Sequence, residues 1–380
     1  MKKKKFDFSR YIRSIMTIVI GLICGIILAQ YHNSVPKEHI WEQFLWPIGL
    51  LIVLYLAMLI HMIIHEAGHL ICGLISGYRF SSFRILSLMF VRENGKIKAK
   101  QMKIAGTGGQ CLLSPPDMVG GKLPILLYNL GGPFFNLITG VIFLGIYYFA
   151  GTYSFVAASF LILAFVGFVF ALLNGIPMRM GNVDNDGYNA YSMRKNEKAL
   201  HAFWLQMKIN ESISNGLRLK DMPDEWFYMP DDSEIQNSMV AVIGVMYCNR
   251  LMDQHRFEEA IQAMDHMMNI PSEMVDIHRN MMLCDRLFLE LIGEQRQDIY
   301  QTINSKQLQK FMKEMENFPS VIRTQYAYAL IVEKNCSKCN ALITEFNKHA
   351  KSYPYKQEVE AEQEYISLAQ ARTTDKKTDH

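Results

Sequence analysis

The chain is short of charge: only 20% of its 380 residues are Asp, Glu, Lys or Arg, against about 25% in soluble domains. It also has little cysteine, proline or glycine, at 7, 12 and 24 residues. So few cysteines exclude a disulfide-knotted secreted scaffold. The low glycine and proline content excludes a collagen-like fibre. With half of the residues hydrophobic, the chain is not disordered throughout. Acidic residues are scarcest in front: residues 1–189 hold 8 Asp/Glu against 16 Lys/Arg, and the remainder holds 28 against 23. The net charge of +3 therefore divides into +8 in front and −5 behind. Such asymmetry points to a membrane or nucleic-acid surface on the basic side. The long apolar runs decide for the lipid bilayer, and no nucleic-acid partner is expected.

Four apolar runs occupy the first half. Ser14 to Ala29 carries no charge, extends to about Tyr31 and follows six Lys/Arg. It is long for a cleaved leader and no small-x-small site follows it, so it reads as a retained anchor. The second run extends from Leu45 to Tyr78, the third from about Leu123 to Ala150 and the fourth from about Phe155 to Ile176. Loop charge sets the orientation. The N-terminus and the 78–122 loop are basic, whereas the 32–44 and 151–154 connections are not. Both termini are then expected in the cytosol, in a multi-pass membrane protein. The 78–122 loop is too short for a sizeable domain, and Phe80 to Val91 suits short strands.

Beyond Asn189 the composition becomes that of a soluble helical domain. Amphipathic patterns cover Gln236 to Met252, Phe257 to Met268, and about 272–293, 306–316, 319–333, 338–350 and 356–370. Short connections between such helices suggest a helical repeat, and Arg256 to Ala260 resembles part of a tetratricopeptide repeat. The methionines of this region, such as Met264, Met267 and Met268, read as core. Cys336 and Cys339 form a lone pair without a matching second pair. The tail Thr373–His380 is polar and expected to be disordered. The expected organisation is thus a segment 1–44 with the first span and external loop, a core 45–189, a cytosolic helical domain 190–372 and a tail 373–380. The fold class is all-α, with about four transmembrane helices and short β elements in the cytosolic loop.

The chemistry lies in the second run, which contains His65-Glu66-Ala67-Gly68-His69. On a helix, residues four apart share a face, so both imidazoles reach one tetrahedral zinc ion, and Glu66 stands beside it as general base. Each ionisable group inside a membrane span costs at least a few kcal/mol, so three in five positions argue for function. His61 lies one turn earlier, about 12 Å along the axis from His69, and reads as a polar neighbour. A third ligand must come from elsewhere. Asp184 and Asp186, just after the fourth run, are the acidic candidates.

Taken together, His65-Glu66-x-x-His69, Gly132-Pro133-x-x-Asn136, and Asn174-x-x-Pro177 followed by Asp186-Gly187 resemble the site-2 protease family of intramembrane zinc metalloproteases, over about residues 45–190. The resemblance implies one Zn2+ per chain held by His65, His69 and Asp186, with Glu66 as catalytic base and Asn174 near the substrate. It implies cleavage of a transmembrane protein or peptide precursor near the cytosolic face. The family spacing places four residues between the Pro and the Asp-Gly. Here eight lie between Pro177 and Asp186, and Asn182 stands at the usual position; Gly187 favours Asp186, with Asp184 as the alternative. Gly132 reads as a helix-packing residue. A protein partner is expected on the C-terminal helical domain. The competing reading is a catalytically silent membrane scaffold of the same fold.

Overall fold

Apolar stretches this long form helices because an isolated span can satisfy its backbone polar groups in hydrocarbon only within itself. A computed structural model describes residues 40–93, 95–104, 107–150, 154–179 and 183–378, with a few helical positions before residue 40. Among the described residues, three helices are long and apolar enough to cross a membrane, which marks the chain as a membrane protein. They lie within α1 (Ile40–Ile75), α2 (Ile125–Phe149) and α3 (Phe155–Gly175). The first expected span falls largely outside the described residues. Helix α4 (Asp186–Met193) follows, with Asn185 as its N-cap accepting from the Tyr188 amide.

The chain divides into two units: residues 1–77 with 124–195, and residues 78–123 with 196–380. In the first, polarity is reversed relative to a soluble bundle. Large apolar side chains such as Leu51, Tyr55, Phe134, Val141 and Val156 are exposed, whereas His61, His65, Glu66, His69, Asn129 and Asn136 are buried. Close approach of α1 and α2 depends on glycine: a Cβ on Gly68 would strike the Gly131 backbone, and one on Gly131 would strike that of Gly68.

The second unit contains a difference from the expected organisation. The 78–122 loop is not an appendage of a continuous 45–189 core. It forms a four-stranded antiparallel sheet, β1 (Arg79–Ile85), β2 (Leu88–Glu93), β3 (Lys96–Gln101) and β4 (Gly109–Ser114), in the order β3-β2-β1-β4. The sheet groups with the C-terminal helices. Helix α5 (Glu197–Ser214) joins it through Trp204, whose indole N–H donates to the Pro116 carbonyl at 3.0 Å, and through Glu211, which pairs with Arg79 at 2.9 Å. Buried Arg84 ties the strand ends by donating to the Leu86 carbonyl and the Thr107 hydroxyl.

The remaining helices longer than four residues mostly follow the sequence patterns, residues 297–303 being the exception. They are α6 (Ser238–Asp253), α7 (Phe257–Asn269), α8 (Asp276–Ile292), α9 (Gln297–Ile303), α10 (Lys306–Glu314), α11 (Pro319–Ile331), α12 (Cys336–Ser352) and α13 (Lys356–Thr378). Met264 and Met267 are buried in one core with Met282, Leu287 and Phe288, and Met268 packs against it partly buried. The expected disordered tail is corrected in part. Helix α13 continues through Thr378, because nothing after Lys356 is a glycine or proline to stop it.

Candidate metal centre

The site is built where α1, α2 and α4 meet. His65 and His69 stand one turn apart on α1, and their Nε2 atoms lie 3.1 Å apart. Helix α4 begins at Asp186, whose Oδ2 lies 3.0 Å from His65 Nε2 and 3.3 Å from His69 Nε2. Among the described residues these three alone form a group whose ligand atoms all lie within 4.8 Å of one another. Asp186, not Asp184, is therefore the carboxylate that reaches both imidazoles. Asp184 is turned to Arg179, at 3.2 Å. The Asp186 position follows from packing. Gly187 passes so close to the Gly175 backbone that a Cβ there would collide with it, and this presses the start of α4 against the end of α3.

The hydrogen bonds around the imidazoles determine where their protons sit. His69 Nδ1 is 2.8 Å from the Tyr128 carbonyl, so it carries the proton and donates, which leaves Nε2 as a lone pair. His61 Nε2 is 2.8 Å from the Leu163 carbonyl and donates to it. A neutral His61 then accepts at Nδ1, which lies 3.1 Å from one end of the Asn136 amide. The other end of that amide lies 3.0 Å from His65 Nδ1. The two ends of an amide are distinguished only by their network. The structure draws Oδ1 toward His61 and Nδ2 toward His65; exchanging them makes the end facing His61 the N–H donor and lets the carbonyl end accept from His65 Nδ1. His65 Nε2 is then also a lone pair. The opposite orientation requires a doubly protonated His61 in a fully buried apolar position, which is costly. His61 therefore acts on His65 through Asn136, as a polar neighbour rather than a ligand.

Two lone pairs and a carboxylate oxygen thus face one another with no proton among them. Asp186 Oδ2 is buried and takes no hydrogen bond. Such convergence of acceptors suits a cation, and two imidazoles with one carboxylate is a donor set of zinc hydrolases. Room for the rings comes from Gly132, where a Cβ would lie 2.6–2.7 Å from atoms of His65 and His69. Gly132 lies at the close approach of α1 and α2, as the helix-packing reading has it, and there it also clears space for the two imidazoles.

Glu66 is buried beside His65. Asn174 lies outside the ligand group, and its amide N–H donates to the Phe170 carbonyl of its own helix at 3.0 Å. Tyr128 was not legible as a participant, because it contributes a backbone carbonyl. Cys336 and Cys339 are free thiols, one exposed and one buried.

Comparison with protein-family models, curated proteins and solved structures finds no match.

Proposed function

We propose that the chain is an intramembrane zinc endopeptidase, which hydrolyses a peptide bond in a membrane-spanning or membrane-associated protein or peptide precursor near the cytosolic face. The observation that carries this reading is the convergence of His65 and His69, on a membrane-spanning helix, with Asp186 at the start of α4, beside buried Glu66. A zinc ion held there would supply Lewis acidity, polarising the scissile carbonyl and acidifying a water molecule. The Glu66 carboxylate takes a proton from the attacking water and passes it to the departing amine. Asn136, His61 and the Tyr128 carbonyl hold the two imidazoles in the ligating tautomer. Asn174, at the end of α3, offers an amide to the substrate backbone. A substrate helix must unwind locally to present its carbonyl, because its backbone is otherwise satisfied within the helix. The proposal retains four spans, with both termini in the cytosol, and a protein partner on the helical unit.

The test uses purified full-length protein and membranes from cells carrying each variant. Wild type and Glu66→Gln should both bind about one zinc per chain. Membranes with Glu66→Gln should accumulate an uncleaved peptide or membrane protein. If nothing accumulates and Glu66→Gln supports every cellular phenotype of wild type, the scaffold reading replaces the protease.

A further inference from the structure

A cavity of about 330 Å3 lies within the second unit, walled by α6, α8, the start of α11, the 353–355 turn and α13. Its size falls at the lower end of the range for small-molecule sites, about 300–1,000 Å3.

The cavity wall carries excess negative charge. Asp253, Asp285, Glu358 and Glu362 line it, against the guanidinium groups of Arg218 and Arg323. Fully buried Arg323 divides itself between Asp285 at 2.5 Å and Glu362 at 2.8 Å. Arg218 pairs with Asp253 at 2.5 Å and is shared with Glu364 outside the cavity. Glu358 receives a hydrogen bond from the Tyr353 hydroxyl at 3.0 Å. His278 adds no positive charge, because burial lowers it to about 4. Burial raises Glu358 to about 7 and also pushes up Glu362 and Asp285. Burial thus weighs against the charged form of all three carboxyls.

The hydrogen-bonding groups narrow the ligand further. Arg323 Nη1, on a side chain with no solvent exposure, is a donor without a hydrogen-bond partner, and the buried Asn249 Oδ1 is an acceptor without one. Both residues line the cavity, together with the rings of Phe318, Tyr353, Tyr355 and Tyr365. The carboxylates do not close into a metal site. Among the described residues only His65, His69 and Asp186 bring three ligand atoms within 4.8 Å. An anion would meet surplus negative charge. An organic cation that also carries an acceptor matches both the charge and Arg323, and the rings suit its apolar stem.

We propose that this cavity binds the ammonium group and neighbouring carbonyl of a short peptide, presented by its amino terminus or by a lysine residue. The ammonium supplies positive charge to the wall formed by Glu358, Glu362 and Asp285. The carbonyl accepts from Arg323 Nη1, and a peptide N–H donates to Asn249.

The test is calorimetric titration of the full-length protein in detergent at pH 7.5. The probes are glycylglycine amide, N-acetyl-lysine amide, spermidine and neutral N-acetyl-glycylglycine amide. At least one of the first two should bind with Kd below about 1 mM, tenfold or more tighter than both spermidine and the neutral peptide. Whichever of the two binds identifies the source of the ammonium. Glu358→Gln keeps an acceptor for Tyr353 and removes only charge, so it should fold as wild type by circular dichroism and bind at least tenfold more weakly. The proposal is overturned by no binding of either ammonium peptide, by equal binding of the neutral peptide or spermidine, or by unchanged affinity in a folded Glu358→Gln variant.

Discussion

The Nε2 atoms of His65 and His69 lie 3.1 Å apart, one helical turn from each other along α1. Two unprotonated imidazole nitrogens at that distance repel unless a cation lies between them. Most of the expected behaviour of the site follows from this relationship and from what holds the two rings in place.

Asp186, the proposed third ligand, is separable from its neighbour Asp184. Asp186→Asn should lower zinc affinity more than the 10–100-fold typical of outer-shell changes. Asp184→Asn should leave it within a fewfold, because Asp184 pairs with Arg179 instead. Zinc competition against a chromogenic chelator measures both, and the reverse order would reject the ligand assignment.

The wire from His61 through Asn136 to His65 should tune the metal without touching it. Asn136→Leu and His61→Phe should each weaken zinc affinity by about 10–100-fold. Asn136→Asp retains an acceptor for His65 Nδ1 and should recover much of the loss. Cobalt-substituted protein offers an independent check, since the visible spectrum of tetrahedral cobalt should shift in the first two variants. Unchanged spectra and affinities in both would remove the wire from the site.

Gly132 has no room for a methyl group. In Gly132→Ala the new Cβ would meet His65 and His69 at 2.6–2.7 Å, so the rings must part. Metal binding should fall at least tenfold, with the protein still inserted in membranes. Gly145→Ala is the matched control on the same helix, with nothing within 4 Å of its Cβ.

Glu358 should make the helical unit less stable as pH rises. Its carboxyl moves from an ordinary 4.5 to about 7 on folding, chiefly through burial, with Glu362 adding to the rise and the Tyr353 hydroxyl opposing it. Tyr355 also faces it. Between these values the folded chain binds more protons than the unfolded chain, so stability falls as pH rises through that window, by up to about 1.4 kcal/mol per pH unit. Urea midpoints followed by tryptophan fluorescence at pH 5 and pH 8 should show a smaller drop in Glu358→Gln than in wild type. Glu362 and Asp285 titrate in the same direction in both proteins, so the difference isolates Glu358. Equal drops would place Glu358 in a more solvated setting.

Much of this was readable along the chain. Apolar runs marked α1, α2 and α3 to within a few residues, because a span must be apolar over a whole helix length. His65-Glu66-x-x-His69 was legible because a helix turns four residues into one face. The pattern of α6, α7, α8 and α11 was visible for the same reason. The helical end of α13 was missed: polar residues without glycine or proline look like tail or helix equally well until the chain is packed. The association of the 78–122 strands with α5 was also hidden, because it depends on pairing across more than 80 residues, such as Trp204 to Pro116.

What the sequence alone determined, then, is local and periodic: the spans, the helical domain, and two imidazoles with a glutamate on one face. Tertiary structure decided the rest. It selected Asp186 over Asp184 by pressing the start of α4 onto the end of α3. Through Asn136 and the Tyr128 carbonyl, 71 and 59 residues from the imidazoles they hold, it fixed the orientation of both rings. It also turned Gly132 into the clearance for both rings. These are contacts between distant segments, whose distances come from helix packing and leave no mark in the local pattern of the chain.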